Sequence, residues 1–475
     1  MDSEKSPSTA GPCDQAEGEV REIRMAGSTD LEHLHELGYE QNLQRSRSLL
    51  TLLFQSLAIV AIPYAFGSPL ISAIYGGGQL PMFLGWIVVL ILSEAVAMSL
   101  GELASRYPTS AGPYYWTFQL ASPKTRTFLS FVTGWTWLIG NWTITLSVNF
   151  GFASLIAACV ALYHPDYVIS DWELLLIFYA MCLITFVIVA FGNKMLPLID
   201  TICVTFTILA MVATLICVLV RADAGRNPAA VTFAPLGMLT TMAEECADPA
   251  VTVPRAMSLC ILPICATMPA LDDILGAPVG QALPYIYGRV AGSPGGGLGL
   301  TFSVLVVSLF CSISITVATS RCTWAFARDK AIPLSSLWAR IDERHGSPIW
   351  ALVLTTIVQM LLGLISLGSS SAFLAFVSVS VIAIAVSYAV PLVISMACFR
   401  KEVAVARWKM GKLLGWCVNI VAMAWIVFEV VLFSMPGTIP VTTTSMNYAI
   451  AVYVGLLLLS SLWYFVHART VIDSV

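Results

Sequence analysis

Two glutamates, Glu94 and Glu102, stand eight residues apart in an apolar run. That is a little over two helical turns, so one helix face carries both. Carboxylates at membrane depth are costly and usually functional, which makes the pair a candidate relay for a proton or a cationic substrate. For Glu102, beside Arg106 at the end of the run, a structural role is the other reading. Glu244 and Glu245 precede Asp248-Pro249 and would either coordinate a cationic substrate or form a gate with Arg321 or Arg328. Asn141, flanked by Trp137 and Trp142, would face a cavity or bond a neighbouring helix. Ser312, Ser314 and Thr316 are expected on one face of a later helix, lining a site or packing it. None of the five histidines stands in a triad or metal constellation, so no catalytic residue, metal or cofactor is expected.

The element that must position these groups is Ile62-Pro63-Tyr64-Ala65-Phe66-Gly67-Ser68-Pro69-Leu70, inside an apolar run that begins near Leu49. Each proline removes a backbone donor and clashes with the preceding turn, so the helix is expected to kink or open. Open backbone at membrane depth is tolerated only where protein or a water-filled cavity covers it, and secondary transporters place substrates at such breaks.

The chain of 475 residues is 58% hydrophobic and only 11% charged, where a soluble domain carries about a quarter charged residues. A polytopic, all-α membrane protein is expected. The net charge of −4 points to no nucleic-acid partner. The cysteines are scattered, many of them in apolar runs, and read as small buried hydrophobes. No basic stub with a short apolar core opens the chain, so no cleaved leader is expected.

Residues 1–47 are polar and expected to be a disordered cytoplasmic tail, 48–470 the transmembrane domain and 471–475 a short cytoplasmic end. Ten segments meet or approach the roughly 20 residues that a span needs: 49–74, 80–104, 127–162, 172–192, 195–220, 298–320, 349–368, 372–398, 414–435 and 446–467. Two shorter apolar stretches, 229–243 and 256–271, make twelve spans if both cross. Arg45, Arg106, Lys124, Lys194, Arg321, Arg328, Lys330, Arg400, Lys401 and their basic neighbours fall on one side if both termini are cytoplasmic, whereas the loops 163–171, 366–372 and 434–447 contain no Lys or Arg. That asymmetry follows the positive-inside rule.

Four strings carry a resemblance. They are Gly101-Glu102-Leu103-Ala104-Ser105-Arg106-Tyr107-Pro108 with Gly112-Pro113-Tyr114-Tyr115-Trp116, then Gly134-Trp135-Thr136-Trp137, then Met242-Ala243-Glu244-Glu245 with Val253-Pro254-Arg255-Ala256, and Ser320-Arg321-Cys322-Thr323-Trp324-Ala325-Phe326-Ala327-Arg328-Asp329. In this order and spacing the chain resembles the amino acid-polyamine-organocation transporter superfamily, nearest its fungal amino acid/choline/GABA permease branch. The resemblance implies a LeuT-like core of two inverted five-span repeats plus two peripheral helices. Spans one and six would be the broken pair, with Ala65, Phe66, Gly67 and Ser68 at the first break and Thr232, Phe233, Ala234 and Pro235 at the second. Asn141 and Ser312 would line the same site. Of the family's Gly-small-Gly pattern only the second glycine is kept, as Gly67. Arg221, Asp223, Arg226 and Asn227 stand where an apolar half-helix is expected, so spans six and seven read as truncated.

The implied function is a plasma-membrane permease for a small amino acid, GABA, choline or related amine, working by alternating access and coupled to protons. Glu94, Glu102, Glu244, Glu245 and Arg321 are its gating or proton-linked candidates. The alternative is a membrane sensor that binds the same ligand without moving it, or an inactive truncated permease. The partners expected are the small substrate, H+ and the lipid bilayer.

Overall fold

The computed structural model describes residues 49–67, 79–164, 166–220, 281–342, 346–368, 370–436, 441–442 and 446–468. The chain divides into two units after Ser46, and the first lies outside these residues, as do the second expected break at 232–235 and the stretch expected to hold truncated spans. Every regular element among the described residues is helical, apart from one bridge between Asp342 and Ser347. The main helices are α1 (Leu49–Val60), α2 (Ile62–Gly67), α3 (Gln79–Arg106), α4 (Pro113–Leu120), α5 (Arg126–Tyr163), α6 (Asp171–Phe191), α7 (Leu196–Val220), α8 (Ala282–Val290), α9 (Pro294–Arg328), α10 (Ile349–Gly363), α11 (Ser370–Ala397), α12 (Lys412–Leu432) and α13 (Ala449–Trp463).

Nine helical segments among the described residues are long and apolar enough to cross a membrane. They match nine of the ten expected spans. The tenth, 49–74, is divided at Ala61 into α1 and α2 within its described part. The outer faces carry Leu84, Ile91, Leu183, Leu209 and Leu459, each more than 45% exposed. Such surfaces suit lipid and not water.

Local chemistry sets the helix ends. Ser170 forms a capping box with Glu173 at the start of α6. Ser293 accepts the Gly296 amide at 3.1 Å, with Pro294 in the first turn of α9. Both devices satisfy amides that the first helical turn leaves unpaired.

Helices α5 and α9 are the central posts. They hold 38 and 35 residues, about 57 and 53 Å at 1.5 Å per residue, so each outruns the roughly 30 Å hydrocarbon layer. More than half of the apolar window of each is buried, against 22% for α7 and α13. α5 packs on α9, α10 and α11, while α9 packs on α1, α7, α8 and α10. Close approach depends on small residues: a Cβ on Gly140 of α5 would lie 2.6 Å from Ile384 Cγ1 of α11.

Candidate functional site

The break has a defined backbone. α1 stops at Val60, and Ala61 takes φ 42°, a left-handed conformation that strains a residue with a side chain. Pro63 then lies in the first turn of α2, where its missing N–H is least costly. Within the described residues the break therefore lies just before Pro63. Pro63 cannot donate to the Ile59 carbonyl four residues back, and the thiol of Cys311 in α9 donates to that oxygen at 3.0 Å. The Tyr64 amide turns to Ala61 O at 2.8 Å. Its hydroxyl donates to Val148 O of α5 at 3.0 Å. Both central posts thus hold the interrupted helix.

Helix α8 covers the second piece with apolar side chains: Leu283, Ile286 and Tyr287 join Ala61, Ile62 and Tyr64 in one buried cluster. A Cβ on Gly67 would come 2.5 Å from Leu283 Cδ2. The one glycine kept from the family pattern is therefore the position where α2 meets α8 without a side chain.

A polar seam joins α5 to α9. Asn141 Nδ2 donates to Trp137 O of its own helix at 2.8 Å, while Asn141 O accepts from Thr145 at 2.7 Å and from Thr319 at 3.3 Å. Thr145 and Thr319 share a hydroxyl contact at 2.7 Å, and Trp142 Nε1 donates to Thr323 at 3.0 Å. Thr319 opposite Thr145 and Thr323 opposite Trp142 fix an antiparallel register. Followed two turns along, it sets Thr316 level with Val148 and Ser312 level with Phe152, the height at which Tyr64 reaches α5. Ser312 and Thr316 are buried, and neither hydroxyl has a hydrogen-bond partner among the described residues.

Ser314 is a correction. Two residues along a helix is a turn of about 200°, so it cannot share the face of Ser312 and Thr316. It points to α7 and donates to Asp200 Oδ1 at 3.2 Å.

The carboxylates separate. Glu102 is 1% exposed and pairs with Arg400, not with the neighbouring Arg106. Its other oxygen accepts the Met410 amide at 2.7 Å. Ser105 Oγ accepts the Trp408 amide at 2.9 Å, and Arg106 lies 3.8 Å from Glu402. Together these contacts clasp the basic end of α3 to the connection between α11 and α12, the arrangement of an anchor. Tyr107 donates to Glu402 Oε2 at 3.2 Å, and burial, reinforced by that carboxylate, pushes its phenol up to about 12. Glu94 is half-buried, about 12 Å along the helix from Glu102. Arg321 donates to Asn193 Oδ1 at 3.4 Å.

The structure therefore gathers Ala61–Gly67, Asn141 and Ser312 around α5 and α9, and leaves Glu102 and Arg321 at the basic end. Ser68, Thr232, Phe233, Ala234, Pro235, Glu244 and Glu245 lie outside the described residues, as does the Phe66 side chain. Sequence reasoning missed Tyr64, Cys311, Arg400 and Asp200. Asp200 alone carried a signal, as a single carboxylate in an apolar span.

The model of the amino acid permease family matches residues 49–235 and 256–456, most of the chain and both sides of the break. The chain belongs to that family. The permease is 28% identical over 454 residues to a choline transporter of Saccharomyces cerevisiae, covering 88% of this chain and 80% of the relative. It is 27% identical to an amino-acid permease of Arabidopsis thaliana, over 91% of this chain and 93% of that one. A polyamine transporter of Saccharomyces cerevisiae is 26% identical, over 92% and 78%. A permease needs elements that can rearrange around a path, and an interrupted helix held between two posts is such an element. A cavity of about 390 Å³ elsewhere, lined by Trp135, Trp142, Phe376, Leu459 and Trp463, contains no residue of the break.

Proposed function

We propose that this permease moves a small amino acid, GABA, choline or related amine by alternating access, with substrate held at the α1–α2 break. The observation that carries the reading is the break itself: a strained Ala61 and a Pro63-freed carbonyl, held from α5 and α9. Strain of this kind persists where the surroundings impose it, and it clusters at ligand sites. Ala65, Phe66, Gly67 and Ser68 would border the substrate, with Asn141 and Ser312 on the posts and Thr232, Phe233, Ala234 and Pro235 as the second break. Glu94, Glu102, Glu244, Glu245 and Arg321 would form the gating set. The scarcity of Lys and Arg deep within the spans favours a zwitterion or small cation over a polyanion. The one-sided distribution of Lys and Arg favours cytoplasmic termini; residence in the plasma membrane and an inward proton gradient as the driving force are part of the proposal that the family resemblance suggests. The names of the relatives, transporters of choline, amino acids and polyamines, fit this substrate range.

The test is uptake of radiolabelled choline, GABA, alanine and putrescine by cells expressing the chain, against cells without it. Saturable, pH-dependent uptake of at least one probe is expected. Saturable binding of a probe to membranes without uptake would assign the chain to sensing.

A further inference from the structure

Helix α7 contains one carboxylate, Asp200. It is 2% exposed, and Ser314 of α9 donates to its Oδ1 at 3.2 Å. Seven residues toward the basic end on each segment, Arg321 of α9 meets Asn193, in the short 3-10 turn that leads into α7, at 3.4 Å. Equal offsets on two antiparallel helices put Asp200 two turns, about 10 Å, in from that contact. The carboxyl is thus inside the bundle, on the inner side of a polar contact that closes the basic end of the α7–α9 seam.

Its surroundings offer little else that titrates. Helices α1 and α10 contain no titratable side chain, and α6 has Tyr179 and Cys182 along its length, with Asp171 and Glu173 in its first turn at the far end. Val189, Ala190, Ile313 and Leu352 form the neighbouring apolar cluster. Among the described residues, the titratable neighbours are Cys203, one turn along and within electrostatic reach, Cys311 and Cys322 on α9, and Arg321 with Lys194 at the basic end. Among these described neighbours, Asp200 combines depth with a carboxyl that exchanges a proton as an acid.

We infer that Asp200 is a proton-binding site of the transport cycle. An intramembrane carboxyl with a named partner is a characteristic relay element. In one half-cycle the carboxylate binds H+ and becomes a carboxylic acid. In the other its O–H bond breaks, the electron pair stays on the carboxylate, and H+ leaves past Asn193 and Arg321. Ser314 serves both forms, donating to the carboxylate and accepting from the acid by rotation of its hydroxyl. No other bond changes. The inference deepens the proton-driven reading above and rests on it for its transport consequence.

Two measurements keep the claims apart. The first is pH-difference infrared spectroscopy of the purified protein in lipid, which reads protonation without any substrate. A carboxylic C=O band should titrate in the wild type and be missing from the Asp200→Asn spectrum; an unchanged band overturns the inference. Should Asp200→Asn not fold, Asp200→Glu replaces it, and the titrating band must then move in position or midpoint. The second measurement uses proteoliposomes with radiolabelled choline, GABA and putrescine assayed in parallel. Asp200→Asn should keep exchange of a transported probe at zero pH gradient but lose its accumulation against a concentration gradient, at least tenfold. Accumulation equal to wild type overturns the inference. If the wild type takes up none of the probes, the permease reading fails instead, while the infrared result still decides whether Asp200 binds a proton.

Discussion

At Ile59 one missing N–H explains a contact that links positions 252 residues apart. Pro63 leaves a carbonyl without its helical donor, and in a bilayer an unsatisfied carbonyl has no water to turn to. The Cys311 thiol meets that need. Replacing Cys311 with Ala should lower stability by about 1–2 kcal/mol, the cost of one buried unsatisfied acceptor. Cys311→Ser should keep the bond and most of the stability. Thermal unfolding in detergent checks both, and equal melting temperatures for the two variants would count against this role. Gly67 gives a second residue-scale expectation. Gly67→Ala drives a methyl group against Leu283, which is 1% exposed and has little room to yield. The overpacking should cost about 1–3 kcal/mol, and Leu283→Ala in the same chain should recover part of it. The break was legible in sequence because proline chemistry is local. Cys311 was not, because its role is set by a distant helix packing beside Pro63.

Elements explain why some sequence readings of carboxylates and hydroxyls moved. Glu102 looked like a partner for Arg106 because the two are neighbours on α3, but the turn after α11 carries Arg400 into the buried position. Arg106 is left to Glu402 at the rim. Removing Arg400 alone, as Arg400→Met, leaves a buried carboxylate uncompensated and should cost about 3–5 kcal/mol. The double variant Glu102→Gln with Arg400→Met should be more stable than Arg400→Met alone. Denaturation of the wild type, Glu102→Gln, Arg400→Met and the double variant measures this, and additive losses would show that the pair is not coupled. The α9 hydroxyls carry a different lesson. Ser312 and Thr316 share a face with Thr319 and Thr323 toward α5, and Ser314 looks the other way to Asp200. The helical period alone separates these faces, whereas the identity of each partner required the antiparallel register of α5, α7 and α9.

For the whole molecule, the apolar runs and the one-sided distribution of Lys and Arg carried most of the architecture. Nine expected spans correspond to nine helices among the described residues, because bilayer thickness translates directly into a length of apolar sequence. What composition could not give is which spans are central. The burial of α5 and α9 comes from small and hydroxyl residues at their contacts, and not from greater hydropathy. The charge distribution makes a topological prediction. An epitope tag inserted in the connection near Arg407 should be reached by antibody only after permeabilisation, and one near Tyr167 should be reached on intact cells. The reverse pattern would invert the orientation.

The central claim is that the break, buried and held from both posts, serves passage and not binding alone. Its most direct test is trans-stimulated uptake by the purified protein in proteoliposomes, using the radiolabelled probe that cells accumulate. Saturable uptake that accelerates when unlabelled probe is loaded inside is the expected result, since a carrier returns faster when occupied. Saturable binding with no entry into the vesicle lumen would contradict it.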